Sequence, residues 1–276
     1  AVYQVELHGP RKGPRVALYG YAGGVEWRGE VRDGHITLRH EPGHYGGVFE
    51  LDKTEKESPT LGLAPPEDAV VLLPFEAGRA PSLDAWRNRE WKALKSGAME
   101  TAPGKGDQHT RRAFADCTLH LEFWLPNMPG AEGQGRANSG IYFMNRYEVQ
   151  VLDSFGLVQG SGDCGAIYQL SLPRLNACLP PERWQTYDIS FRAPRIGSGG
   201  EVREPARLTV YQNGLLIQQD VEVPEPTPGG VEGSQVAKDI LRLQDHGNVV
   251  RYRNIWLVEE SGRVPPRFKR CVTLWM

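Results

Sequence analysis

The run CTLHLEFWL, residues 117–125, settles the fold class. Leu119, Leu121, Phe123 and Leu125 alternate with Thr118, His120, Glu122 and Trp124, and a period of two puts one apolar and one polar face on an extended strand. Outward from it the same alternation returns. Tyr147, Val149 and Val151 oppose Glu148 and Gln150; Tyr187, Ile189 and Phe191 oppose Asp188, Ser190 and Arg192; Leu208 and Val210 oppose Arg207, Thr209 and Tyr211. Asn213-Gly214 and Asp33-Gly34 supply the positive φ angles of tight hairpin turns between such runs. Further strands are expected over residues 240–244 and 250–258. With 32 Gly and 21 Pro in 276 residues, long helices have no room. Residues 82–96 are free of both, but their apolar stripe (Leu83, Trp86, Trp91, Leu94) is partial and predicts a short helix at most. Two antiparallel sheets are therefore expected to dominate residues 68–258, as an all-β sandwich or jelly roll. Leu119, Leu121, Phe123, Val149, Val151, Ile189 and Phe191 should be buried between them.

The polar, proline-rich EKESPTLGLAPP, residues 55–66, reads as a linker. It separates a small N-terminal β unit, residues 1–54, too short for a large core of its own, from the sandwich at 67–260 and an extended tail at 261–276. Hydrophobic residues at 39% and charged residues at 24% are ordinary globular values. Lys plus Arg, 32, nearly balance Asp plus Glu, 34, and no basic block could neutralise a run of phosphates. Nucleic acid is not an expected partner. No stretch reaches the roughly 18 consecutive apolar residues of a membrane helix. Ala1 opens the sequence and no methionine precedes Met99, as after removal of a leader or after trimming.

None of the four cysteines, Cys117, Cys164, Cys178 and Cys271, belongs to a CxxC pair, so a structural zinc site is not expected. Cys164 (GSGDCG) and Cys178 (LNACLPP) lie in turn-rich sequence, where a bridge closing about 15 residues contributes roughly 3 kcal/mol. A Cys164–Cys178 disulfide is expected. Cys117 shares the parity of Leu119 and Leu121, as a buried core thiol does; pairing with Cys271 is the alternative.

Three runs can carry chemistry. In NSGIYFMNRYEVQVLD, residues 138–153, Glu148 and Gln150 share a strand face, Asp153 follows at the strand end and Asn138 opens the run. Such a face is either a solvated outer surface or the floor of a sugar cleft, because sugar hydroxyls need paired donors and acceptors. In SGDCGAIY, residues 161–168, Asp163 is either a rigidly held acid, base or ligand, or a turn aspartate bound to its own backbone. In RLQDHGNVVRYR, residues 242–253, Gln244, Asp245 and His246 stand at a strand end, an imidazole beside a carboxylate that could orient it. The alternative there is a turn closed by side-chain hydrogen bonds. Arg251 has the parity opposite to Val250 and Tyr252, hence a polar side. The remaining histidines, His8, His35, His40, His44, His109 and His120, are scattered and carry no assigned role. No G-x-S-x-G elbow, H-E-x-x-H or P-loop occurs, so serine hydrolase, zincin and nucleotide chemistry have no support.

In order, NSGIY, YEVQVLDSFG (147–156), GDCGAIY (162–168), NAC-x-PP with WQTYDI (176–189), FRAPR, NG, and LQDHG followed by RNIW resemble the bacterial 3-keto-disaccharide hydrolase family, over residues 68–258. The resemblance implies a concanavalin-like jelly-roll sandwich, here with a small N-terminal β extension. It also implies an exported, extracytoplasmic protein acting on a small carbohydrate oxidised at C3, with no nucleotide or redox cofactor. A ketone at C3 acidifies the C2 proton and permits loss of the C1 oxygen by elimination, with water added afterwards; the path needs a base near C2 and a donor or cation near the enolate oxygen. Glu148, Asp163 and His246 are the candidate acids and bases. Asn138, Gln150, Asp153, Gln244 and Asp245 are candidate sugar contacts, and Arg251 or a divalent metal is the candidate for the enolate. Two alternatives stay open. E-x-Q-x-x-D at Glu148, Gln150 and Asp153 is similar to the E-x-D-x-x-E strand of laminarinase-type sandwich glycosidases, with Gln150 in place of the middle acid. Lectin-like sandwiches also bind sugars without catalysis.

Overall fold

The computed structural model describes residues 11–12, 15–22, 25–40, 47–52 and 57–259, which fall into two compact units on either side of residue 57. In the first, Arg15–Ala22, Val25–Arg32, His35–His40 and Gly47–Asp52 form an antiparallel meander with the short strand Arg11–Lys12 at one edge. Its Asp33-Gly34 turn has φ angles of 52° and 82°, the pair a two-residue hairpin requires. Leu38 is the one buried apolar residue among the described residues of this unit. Trp27, His40 and Phe49 cluster beside it, with ring centroids 4.8 to 6.0 Å apart.

The second unit is a sandwich. Its larger sheet runs in the order Leu215–Val223, Ala206–Gln212, Trp184–Arg192, Cys117–Trp124, Arg251–Glu259, Met99–Glu100, Lys92–Ala93, with Val70–Leu73 also pairing with Arg251–Glu259. The smaller sheet runs Tyr147–Leu152, Asn138–Phe143, Asp239–Leu243, Gln108–Phe114. All neighbouring pairs are antiparallel. Register follows parity: Leu119 stands opposite Ile189, and Ile189 opposite Val210, so one apolar row crosses three strands. Facing it are Ile141, Val149, Val151 and Leu243 of the smaller sheet, and the layers meet at Phe143 and Phe191, whose rings are 4.7 Å apart. Each of the seven core residues expected from alternation is at most 2% exposed. At about 1.5–3 kcal/mol per buried large apolar side chain, this layer supplies the main driving force for folding.

Two local features go beyond what alternation implies. Residues 82–96 contain no helix; instead the Trp86 and Trp91 indoles are buried and donate to the carbonyls of Leu72 (2.8 Å) and Gly106 (2.9 Å). Tertiary anchoring of two large side chains there outweighs the weak helical stripe. The polar face of Cys117–Trp124 is not solvated either, since Thr118, His120 and Glu122 are all buried. Residues 58–63 lie across it: Thr60 donates to Asp188 (2.7 Å), the Gly62 amide to Glu122 (2.6 Å), and the Leu63 carbonyl accepts from Asn254 (3.0 Å). The described part of the expected linker, residues 57–66, thus includes a strap fastened to the sandwich.

Candidate active site

On the smaller sheet, alternation turns Asn138, Gly140 and Tyr142 outward beside Glu148 and Gln150 of the neighbouring strand. Tyr142 pairs with Glu148 and Gly140 with Gln150 on that side, while Tyr142 pairs with Arg242, and Arg242 with His109, on the other. The result is a polar floor in a sandwich whose other side is core. Surrounding turns enclose a cavity of about 170 Å³ above it. Four amide side chains, Gln134, Asn138, Gln150 and Gln244, and two phenols, Tyr142 and Tyr168, line the cavity. Pro228-Gly229 forms one wall. Glu148 is the one carboxyl in the lining and His246 the one imidazole.

Glu148 is 2% exposed. The Tyr142 hydroxyl donates to its Oε2 at 2.7 Å, and Gln244 Nε2 donates to that hydroxyl at 3.3 Å. The other carboxyl oxygen rests over Gly140, where a Cβ would meet Oε1 at 2.1 Å; only glycine leaves this slot. Burial pushes the Glu148 carboxyl up to about 7, against the Tyr142 hydrogen bond and the Arg242 charge and with help from Asp107. A carboxyl poised there exchanges its proton at neutral pH, as a general acid or base must. Burial, then the charge and hydrogen bond of Glu148, hold the Tyr142 phenol well above its ordinary range, so it remains a donor.

The amides fix one another. Gln150 Nε2 donates to Gln134 Oε1 (3.0 Å) and to the Gly162 carbonyl (3.2 Å), and Asn138 Nδ2 donates to Gln134 Oε1 (3.0 Å). Asn138 Oδ1 is buried and accepts no hydrogen bond. An orphaned acceptor of this kind costs about 1–3 kcal/mol unless a ligand hydroxyl or water satisfies it.

Of the residues singled out from sequence, Glu148, Asn138, Gln150, Gln244 and His246 line this one cavity. Four others have structural partners instead. Asp163 accepts from the Gly160 amide (2.6 Å), closing its own turn. Asp153 is buried against Arg136 (2.7 Å). Asp245 accepts from the backbone amides of Lys105 (2.9 Å), Gly106 (3.0 Å) and Gly247 (3.0 Å), which is the side-chain-closed turn. Arg251 belongs to the larger sheet, bonded to Glu100 (2.8 Å) and lying over Trp124. Tyr142, Gln134, Tyr168 and Arg242 were not singled out from sequence, although Tyr142 shares its strand parity with Asn138 and Arg242 opposes Leu241 and Leu243. A divalent cation would need more donors than Glu148 and His246: among the described residues no group of three His, Cys, Asp or Glu side chains is placed to hold one.

The Cys164–Cys178 bridge is not formed in this structure; both are free, buried thiols, and Cys117 is buried as well. Cys178 Sγ lies 3.7 Å from the Leu152 carbonyl oxygen and accepts from Gln185 Nε2 at 3.6 Å. Tyr187 lies beside Cys164 (3.1 Å), and its hydroxyl donates to the Gln150 carbonyl (2.7 Å), so the pair sits beneath the cavity floor. Cys271 lies outside the described residues. Among them, no helix is long and apolar enough to cross a membrane.

The sequence profile of the 3-keto-alpha-glucoside-1,2-lyase-like domain matches residues 75–258. Two solved structures from Parabacteroides distasonis ATCC 8503, both described as candidate glycosyl hydrolases, are similar to this chain. One is 33% identical, with a TM-score of 0.63, covering 70% of this chain and 84% of its own. The second, 15% identical with a TM-score of 0.50 and covering 71% and 95% respectively, shows the fold alone. No curated protein matches. The sandwich is thus a carbohydrate-active domain, and the chain belongs to the family of 3-keto-alpha-glucoside-1,2-lyase-like domains.

Proposed function

We propose that the sandwich cleaves the glycosidic bond of a neutral sugar oxidised at C3, with Glu148 as the general base. The observation that carries this is a single carboxyl, buried and pushed up to about 7, in a cavity otherwise lined by amides, phenols and one imidazole. Glu148 takes the proton from C2, and the electron pair forms the enolate of the C3 ketone, met by amide N–H groups of the floor. Collapse of the enolate expels the C1 oxygen, which takes a proton from His246, leaving a C1–C2 double bond conjugated to the ketone. Water then adds at C1 with His246 as base, and Glu148 returns its proton to C2. The net change is hydrolysis, with no oxidant consumed.

The geometry disfavours the glycosidase alternative. That mechanism needs two carboxyls about 5–9.5 Å apart across the bond, and Asp153, the second in the E-x-Q-x-x-D run, is buried against Arg136. The test is incubation with matched disaccharides, oxidised and unoxidised at C3, in D2O, followed by mass spectrometry. Cleavage of only the oxidised sugar, with deuterium at C2, supports the proposal. Cleavage of both without deuterium marks a glycosidase, and binding without cleavage marks a lectin-like module. Glu148→Gln should lower turnover by about 10² or more while leaving sugar binding intact. In the wild type, kcat/KM should fall as pH drops through about 7, because the base must be ionised.

A further inference from the structure

Arg242 is one of the few buried cations of the sandwich. It is 9% exposed, and its guanidinium carbon stands 3.7 Å from the centroid of the Tyr142 ring. Nη2 donates to the Gly229 carbonyl at 2.6 Å. Nε has no such fixed partner: it is buried without a hydrogen bond, 3.5 Å from Asp107 Oδ2. Asp107 is held in turn by the Asp245 amide, which donates to its Oδ1 at 2.8 Å. The order in space is therefore carboxylate, guanidinium, phenol, carboxyl: Asp107, Arg242, Tyr142, Glu148. The left-handed Gly229 leaves room for the phenol, since a Cβ there would stand 2.9 Å from the Tyr142 oxygen.

We infer that Arg242 and Asp107 are positioning residues for Glu148, acting through Tyr142 and with opposite electrostatic effects on the Glu148 proton. The inference rests on Glu148 being the base of the reaction proposed above. A cation over a ring face draws electron density from it and sharpens the hydroxyl as a donor, so Arg242 strengthens the 2.7 Å bond that orients Glu148. Its charge also favours the carboxylate directly. Asp107 works the other way, by neutralising Arg242 and adding a negative charge nearby. The two signs agree with the pulls on Glu148 already described. Other titratable groups lining the cavity with Glu148 are His246 and Tyr168, while Tyr252, in the core beneath, is held by its bond to Ser139. His109, paired across from Arg242, is held below its ordinary value by burial and carries no competing charge at neutral pH.

The experiment is a pH titration, by NMR, of the Glu148 carboxyl in full-length protein made with 13C-labelled glutamate, the Glu148→Gln spectrum supplying the assignment. It reads the proton without any substrate. Arg242→Met, which keeps the stem and removes the charge, should move the midpoint up by at least half a unit. Arg242→Lys should restore most of the shift, and Asp107→Asn, which can still accept from the Asp245 amide, should move it down. Midpoints that stay put, or that move the same way in Arg242→Met and Asp107→Asn, overturn the inference. Asp107→Asn alone decides the matter if Arg242→Met does not fold. The pH profile of kcat/KM on a 3-keto disaccharide should follow the same shifts. If the midpoints separate as expected but the turnover profile ignores them, the positioning stands and it is the assignment of Glu148 as base that falls.

Discussion

Gly140→Ala tests whether activity depends on where the Glu148 carboxyl is held. In the strand Asn138–Phe143 this glycine has an extended conformation, so alanine strains nothing in the backbone. Its Cβ, however, would stand 2.1 Å from Glu148 Oε1, 2.9 Å from its Cδ and 2.9 Å from Tyr142 Cε2. Ordinary contact begins near 3.4 Å, so the carboxyl must retreat by about 1.3 Å. The atom that moves is the end of a flexible side chain beside a cavity, not backbone, and the fold should accommodate it. Alanine is also less costly than glycine in a strand, by about 0.5–1 kcal/mol, which offsets part of the strain. Displacement near 1 Å at a reacting group costs about 10² in rate. Gly140→Ala should therefore lose about 10² in kcat on a 3-keto disaccharide while its melting temperature stays within a few degrees of the wild type. Full activity would refute the placement of Glu148 at the chemistry. Loss of activity together with global unfolding would refute the claim that the slot is local.

The fastening of the strap gives a second expectation. Glu122 is fully buried and accepts from Arg253 (2.6 Å), Gly62 (2.6 Å) and Asn254 (2.9 Å), so Glu122→Gln should cost about 3–5 kcal/mol, the scale for unpairing a buried charge, and lower the melting temperature by roughly 10 °C; a change under about 2 °C would count against it. Burial opposes the His120 imidazolium, but hydrogen bonds to Asp188 and Glu122 raise its pKa above the ordinary value, so its contribution is full below about 6.5 and is lost as pH rises through the folded value. The Glu122 pKa is lowered by His120, Asn254 and Arg253 despite burial, so its contribution is full above about 4.3 and is lost as pH falls through the folded value. Melting temperature against pH should peak between the two, and His120→Gln should flatten the alkaline side.

Strand parity was readable because a period of two admits only two assignments, and a core forces one of them. That is why the burial of Leu119, Val149 and Ile189 could be stated before any coordinates. Parity does not say which sheet a strand joins. Arg251 does point to the polar side of its strand, but that strand lies in the larger sheet, opposite the cavity. Nor does parity reveal cover. Ser58, Thr60 and Gly62 sit in a segment with the composition of a linker, yet their polar groups meet Thr186, Asp188 and Glu122. The pairing of Tyr142 with Glu148 depends on the register of one hairpin, turned by Met144 and Asn145 at φ angles of 52° and 58°. Met-Asn is not a two-residue turn signature, so residue types alone do not announce that register.

What separates a catalytic carboxyl from a structural one in this fold is its unused hydrogen-bonding capacity. His120, Asp188 and Glu122 look more like a catalytic constellation than anything in the cavity: Nδ1 of the imidazole is 2.6 Å from Asp188 Oδ1, and all three are buried. Yet Asp188 also accepts from Thr60, Glu122 is satisfied by three donors, and His120 is stacked on Trp256. Nothing is left to meet a substrate. Asp153, Asp163 and Asp245 are committed in the same way to Arg136 and to turn amides. Among the described residues the Glu148 side chain accepts one hydrogen bond, from Tyr142. It stands at a cavity, and no other described residue donates a hydrogen bond to it. A carboxylate so poorly supplied in a buried place binds a proton readily, and that shortage is what suits it to remove one from a sugar carbon.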